Sequence, residues 1–313
     1  MDKPYVSSSP HLRGNLTTQK IMLDVIIALL PASVAAVVIF GWRSLMLIDV
    51  CVTASVLSEF ICRKVMKRQN TVSDLSAVVT GLLLALNLPV GINPLMAAFG
   101  SVVAIVVVKQ MFGGIGQNFV NPALAARIVL LVSFPNAMTT WAEPFYYKKG
   151  AVDAVTSATP LASSNGVSYL DLFLGNTGGC IGETCAAALL LGGIYLFAKK
   201  VISPIIPFTY ILTVGVMALI VGADPLYQIL SGGLILGAFF MATDYTTSPV
   251  TNSGKVIYAV GCGILTVLIR RYANLPEGVS FSILIMNILV PHIEKLTMPK
   301  PLGFVKEKKG DKK

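Results

Sequence analysis

The sequence predicts an all-α membrane protein that crosses the bilayer about ten times, as a single membrane domain over residues 1–313. Three observations predict it. The 313 residues are 55% hydrophobic and only 12% charged, about half the charged share of a soluble domain. Charge-free runs such as VIIALLPASVAAVVIF and FGSVVAIVVV recur from end to end, and a bilayer core takes about 20 such residues per helix. The basic residues gather where those runs end, as the positive-inside rule expects. A net charge of +9 would by itself suit nucleic acid, but charges spaced between apolar runs exclude that class of partner and point to the lipid bilayer.

The spans fall at about 21–40, 45–65, 73–88, 93–111, 119–135, 180–198, 204–222, 226–242, 255–273 and 279–297. The first twenty residues are polar and lack the apolar core of a cleavable signal peptide, so the first span is expected to act as the insertion signal. The third and eighth spans are short for a full crossing, which predicts tilted or broken helices. Lys3, Arg13 and Lys20 precede the first span, Arg63, Lys64, Lys67 and Arg68 follow the second, and Lys199 and Lys200 follow the sixth. Residues 298–313 form a basic tail. Ten crossings put all of these on one side, the cytoplasm, with both termini there and residues 136–179 on the outer face. Arg270, Arg271, Lys148 and Lys149 run against that scheme. Leu75-Ser-Ala-Val-Val-Thr-Gly81 is similar to Leu226-Tyr-Gln-Ile-Leu-Ser-Gly232. Two five-span halves, 21–135 and 180–297, would then be inverted repeats, an arrangement that builds sites near the bilayer midplane at broken helices.

Three stretches and two charged residues within spans carry candidate chemistry. The outer loop holds Asp153-Ala-Val-Thr156-Ser157-Ala158-Thr159-Pro160. It resembles the flavinylation motif D-x-x-[ST]-[GSA]-A-T, whose last threonine is esterified to the phosphate of FMN, with FAD as donor and a magnesium-dependent flavin transferase as catalyst. A threonine hydroxyl is a weak nucleophile that needs presentation; small neighbours open access to it, and Pro160 biases Thr159 toward an extended backbone. Between spans four and five lies Gly113-Gly-Ile-Gly116-Gln-Asn118-Phe-Val-Asn121-Pro122. Its glycines allow close backbone approach, and Asn118 and Asn121 could bond a polar ring; Asn121 could equally cap the next helix. The stretch Ser231–Pro249, with Thr243 and Asp244, occupies the corresponding part of the second half, and Asp244 reads first as an interfacial cap. Glu59 and Arg127 lie inside spans. An ionisable group at that depth is a candidate for the ion path, here Glu59, against structural pairing or, for Arg127, snorkelling to an interface. Cys51, Cys62 and Cys262 read as packing residues, and the Cys180–Cys185 spacing suits neither zinc nor an iron–sulfur cluster. No catalytic residue and no metal ligand is assigned.

SPHLRGNLTTQKIMLDVIIALLPA, GGIGQNFVNPALAAR, the SATPL loop, SGGLILGAFFMATDYTTSP and NLPEGVSFSILIMN together resemble the family of D subunits of the Rnf complex, an ion-translocating ferredoxin:NAD oxidoreductase of bacterial membranes. The related B subunit of the sodium-pumping NADH:quinone reductase shares the pattern with a longer N-terminal region. The resemblance spans essentially the whole chain. It implies ten helices in two inverted halves, similar to urea transporters, in the bacterial cytoplasmic membrane, and covalent FMN on a phosphoryl threonine, here Thr159. It implies partners within the complex, among them a second covalent-flavin subunit and iron–sulfur subunits. Where many members read S-G-A-T, this chain reads T-S-A-T, within the allowed classes.

Three functions follow. A redox carrier would pass single electrons through the flavin, with a second, noncovalent flavin such as riboflavin between the loops at Asn118 and Thr243. A small-solute channel or transporter would use the inverted repeat alone. A scaffold would carry an inactive motif. The chain has no nucleotide fold and no set of thiolate ligands, so oxidation of NADH or ferredoxin would fall to other subunits.

Overall fold

The computed structural model describes residues 17–148, 156–157, 161, 167–273 and 278–299. Helices account for nearly all regular structure, and four of them are long and apolar enough to cross a membrane. These are α1 (Thr18–Phe40), α2 (Trp42–Val65), α12 (Asn252–Tyr272) and α13 (Gly278–Thr297). The chain is thus a multi-pass membrane protein. Shorter apolar helices lie between them: α3 (Ser76–Leu86), α4 (Pro94–Gln110), α5 (Pro122–Ser133), α8 (Ala186–Ala198) and α9 (Ile205–Ile220). The short helices α6 (Pro135–Met138) and α7 (Tyr169–Leu174) stand outside that set.

Local sequence explains where these helices begin and break. Asn93 and Asn121 each stand before a proline, and each side chain accepts from the backbone N–H two residues on, Leu95 at 2.9 Å and Ala123 at 3.0 Å. Asparagine at the cap and proline at the first position satisfy groups a helix start leaves unpaired. The third predicted span is only the eleven residues of α3. The eighth is broken into α10 (Pro225–Leu230) and α11 (Leu234–Leu236), which continues as a π-helical turn over Gly237–Met241. Helix α4 also widens to π-helix, over Val103–Gln110. One feature departs from a purely helical chain: Trp141–Ala142 (β1) pairs antiparallel with Thr156–Ser157 (β2), Trp141 opposite Ser157.

Helix α2 packs on α3 and α4, and α12 packs on α9 and α13. The two halves of the chain meet where α1 packs on α8 and α5 on α13. The first of these seams is built from small residues. Ala28, Ala32 and Ala36 of α1 are buried, as are Ala188, Gly192 and Gly193 of α8. A Cβ on Gly192 would stand 2.0 Å from the Ala28 carbonyl oxygen. Small residues let helix backbones approach in a membrane, where packing rather than hydrophobicity holds helices together.

At the centre, Arg127 of α5 is fully enclosed. Its Nη1 lies 3.0 Å from Glu183 and donates to Asn87 (3.0 Å) and Ser280 (2.7 Å), while Nη2 donates to the Cys180 sulfur (3.2 Å). Arg127 therefore does not snorkel to an interface; its partners come from separate segments of the chain. Span six was expected from residue 180, yet α8 starts at Ala186. Residues 176–185 instead fold inward, and the backbone N–H groups of Ile181 and Gly182 donate to the carbonyls of Leu88 (3.0 Å) and Leu86 (2.8 Å). Those carbonyls end α3 and would otherwise lie unpaired at depth. Gly182 permits this contact, since a Cβ there would stand 2.5 Å from Leu86.

Gly192→Leu is expected to force α1 and α8 apart, with destabilisation of at least ~1–3 kcal/mol as overpacking gives. Thermal unfolding of the purified protein in detergent measures it. Leu191→Ile, at an exposed position on the same helix, should leave the midpoint unchanged.

Candidate functional site

The short helices and glycine-broken loops converge on one cavity of about 390 Å³. Ligand pockets span roughly 300–1,000 Å³, with apolar walls and a few placed polar groups. Met22 and Val25 of α1, Leu83 of α3, and Phe239 and Phe240 of the π-helical turn supply apolar wall. Asn118, Asn121, Thr243 and Asp244 all line it. The structure thus brings together the four residues that the sequence singled out in separate halves.

The loop after α4 turns through Gly113, Gly114 and Gly116, with φ of 127°, 108° and 85°, conformations that favour glycine. A Cβ on Gly114 would meet the Arg63 guanidinium at 2.2 Å. Asn118 donates to the Val120 carbonyl (3.1 Å) and holds the loop's own shape. Asn121 does two things: its oxygen caps α5, and its amide donates to the Met241 carbonyl (3.4 Å), tying the two loops. Asn287 of α13 adds a second tie. In the amide orientation that satisfies both ends, it accepts from the Asn121 N–H and donates to the Thr247 carbonyl, each at 3.2 Å. Thr243 turns back to the Phe239 carbonyl (2.7 Å). Asp244 accepts from the Thr246 hydroxyl (3.1 Å) and the Thr247 hydroxyl (3.3 Å), which gives it the capping role of a turn.

One wall of the cavity carries a charge. Lys109, at the end of α4, lines the cavity together with Ser76 and Thr80 of α3. Its ammonium lies 2.8 Å from Glu59 Oε2 and donates to the Ser76 hydroxyl at 2.7 Å. The other Glu59 oxygen accepts from Thr71 (2.8 Å) and Gln110 (3.0 Å). Glu59 is therefore a paired, enclosed carboxylate one side chain removed from the cavity. The sequence did not single out Lys109, because a lysine closing an apolar run reads as an interfacial anchor, and its acid partner lies 50 residues away.

Of the loop motif, Asp153, Ala158 and Thr159 lie outside the described residues. Thr156 and Ser157 form β2, held by β1. Leu161, just beyond the motif, packs against Gly232 and lines a second cavity of about 630 Å³ with Tyr169, Tyr227, Arg270 and Arg271. Beside it the Tyr169 hydroxyl donates to Asp224, whose other oxygen caps α10 through the N–H groups of Leu226 and Tyr227. That hydrogen bond holds the Asp224 carboxyl below its ordinary range and the Tyr169 phenol above its own. The two cavities share no described lining residue. Among the described residues, no three histidine, cysteine or acidic side chains gather where they could hold a metal ion.

Comparison with known proteins agrees over nearly the whole chain. The profile described as the NQR2, RnfD, RnfE family matches residues 5–303. The chain is 52% identical to the D subunit of the Na(+)-translocating ferredoxin:NAD(+) oxidoreductase complex of Acetobacterium woodii, covering 98% of each sequence. It is 44% identical to the D subunit of the proton-translocating ferredoxin:NAD(+) oxidoreductase complex of Clostridium ljungdahlii, over 95% of this chain and 96% of that one. It is 38% identical to the D subunit of the ion-translocating oxidoreductase complex of Stutzerimonas stutzeri, over 92% of both. With a match of this length and identity on top of the shared sequence pattern, the chain belongs to the NQR2, RnfD, RnfE family.

Proposed function

We propose that this protein is the D-type membrane component of a complex that couples electron transfer between ferredoxin and NAD to translocation of Na⁺ or H⁺, and that it carries FMN covalently on Thr159. The observation that carries the reading is the complete motif Asp153-x-x-Thr156-Ser157-Ala158-Thr159 in a chain matched end to end by subunits of such complexes. Thr159 Oγ would form the ester to the FMN phosphate while AMP leaves from the donor FAD, with a flavin transferase as catalyst. Bound flavin supplies one-electron chemistry that no side chain here can perform. Iron–sulfur subunits and a second flavin subunit would complete the path at either end.

The topology belongs to the same proposal: ten crossings in two inverted halves, termini in the cytoplasm of a bacterial cell, and residues 136–179 outside the membrane. Support comes from helical segments within each of the ten intervals read from the sequence and from the basic residues at Arg63, Lys64, Lys199 and Lys200. The 390 Å³ cavity suits a noncovalent flavin. Phe239, Asn118 and Asn121 line it, and the Lys109 charge stands at one wall, where it would favour electron density on a bound ring.

Thr159→Ala is expected to abolish the ultraviolet fluorescence of the denatured protein band without loss of membrane insertion. Thr156→Ala should dim the band less, because Thr156 guides recognition and forms no bond. A dark wild-type band from a host with active transferase would instead favour the channel or scaffold reading. Denaturing extraction of Thr159→Ala protein should still release free flavin; extraction that yields none returns the cavity residues to packing. Glu59→Gln leaves Lys109 without its counter-charge. If this pair belongs to the ion path, electron transfer persists while ion pumping falls, whereas unchanged pumping makes the pair structural only.

A further inference from the structure

The long helices turn apolar faces outward, with one exception. Beyond the first turn of α1 the exposed row is Leu23, Ile27, Leu30, Val34 and Val38, and the exposed row along α9 runs Phe208, Leu212, Val216 and Leu219 to Ile220 at its end. On α2 the exposed row runs Leu45, Asp49, Thr53, Leu57. Asp49 is the only exposed carboxylate, among the described residues, that stands more than one turn inside a helix. Its carboxylate has no hydrogen-bond or ion-pair partner among them. Trp42, 76% exposed, marks one end of α2, as aromatic residues do at a membrane surface, and Arg63 and Lys64 mark the other. Seven residues at 1.5 Å each place Asp49 about 10 Å below Trp42, within a hydrocarbon layer about 30 Å thick.

An aspartate is too short to reach the interface from that depth, and a charge facing lipid there costs several kcal/mol. The Thr53 hydroxyl does not help, because it is turned back to the Asp49 and Val50 carbonyls, at 2.7 and 3.2 Å. Helix α9, the second apolar helix of its half as α2 is of the first, shows what a lipid-facing row looks like in this fold: four large apolar side chains. The difference between the two rows is chemical and confined to Asp49 and Thr53.

We infer that the Asp49–Thr53 face of α2 is the seat of a transmembrane helix from another subunit of the complex, one that brings a basic side chain to Asp49 below the Trp42 end of α2. The inference rests on the reading of this chain as part of a membrane complex. A second copy is a poor occupant. Copies in one membrane share an orientation, so Asp49 would need a cation at its own depth. At that depth the exposed rows of α1, α9, α12 and α13 offer only apolar side chains, and the exposed His292 of α13 stands five residues from Thr297, toward the opposite end from Trp42. Arg43, nearer the Trp42 end, is already bound to the Val90 and Gly91 carbonyls, at 2.9 and 3.2 Å. An opposite charge carried by a different helix meets the requirement, and intramembrane ionisable groups do pair in this way.

The test uses the complete complex in native membranes. A photo-crosslinking residue at Thr53 is expected to form an adduct with a transmembrane segment of another subunit, and the same probe at Leu212 only with lipid. In parallel, Asp49→Leu should reach the membrane at the wild-type level and unfold at no lower temperature when purified alone. It should nevertheless lose roughly tenfold or more of its co-purifying partners, as loss of a buried charge contact does. Asp49→Asn, which keeps hydrogen bonding, should retain more partner than Asp49→Leu. Lipid-only or self adducts at Thr53, or full partner retention by Asp49→Leu, would overturn the inference while leaving the electron-carrier reading intact. A wild-type chain that co-purifies with no other subunit would overturn both.

Discussion

The fold depends on the neutralisation of one guanidinium. Arg127 sits where α5, the end of α3, the start of α13 and the 176–185 segment meet, and it bonds Asn87, Ser280, Cys180 and Glu183. An arginine enclosed in a membrane protein is tolerable only when its donors are matched. Each partner is therefore fixed in place by the need of the others. Glu183 lies so close to Gly233 that a Cβ there would stand 2.4 Å away, so the ion pair also positions the break between α10 and α11. The Cys180 thiol passes the constraint on by donating to the Asn87 carbonyl (3.2 Å). The broken helices that form the cavity are held from behind by this cluster.

A second ion pair works at the opposite end of the scale of reach. Glu59 and Lys109 join α2 to α4 next to the cavity, and Ser76 brings in the first residue of α3. Arg127 binds the two halves of the chain to each other, whereas Glu59–Lys109 stays within one half and presents a charge to the cavity. The π-helical stretches of α4 and of the turn after α11 both contribute cavity wall. Widened turns of this kind are frequent at functional sites, and here they offset Lys109 and Phe239 from an α-helical register.

Much of this was legible in the residues. Glycines and asparagines that interrupt apolar runs have few explanations in a membrane, which is why Asn118, Asn121, Thr243 and Asp244 could be singled out, and they do line one cavity. Asn121 was legible as a cap, and it caps α5. Pairing was not legible: nothing local in GGCIGETC says that its cysteine and glutamate serve Arg127, more than fifty residues earlier, so the segment read as the start of a span. Lys109 was hidden for the same reason. Asp49 was not legible either, because one acid in an apolar run signals nothing until its direction is known.

The inward-folded 176–185 segment has a consequence for how the protein is made. Arg127 leaves the ribosome before Cys180 and Glu183 exist. At 5–20 residues per second, the interval is roughly three to eleven seconds. Throughout it, the first half holds a guanidinium without its carboxylate partner, and the carbonyls of Leu86 and Leu88 without their donors, inside or beside the membrane. The nascent chain must be sheltered by the insertion machinery until the segment between the halves arrives. Biogenesis, more than final stability, is then the stage at which a lesion in residues 176–185 would be felt, as degradation of a chain whose first half had already formed correctly.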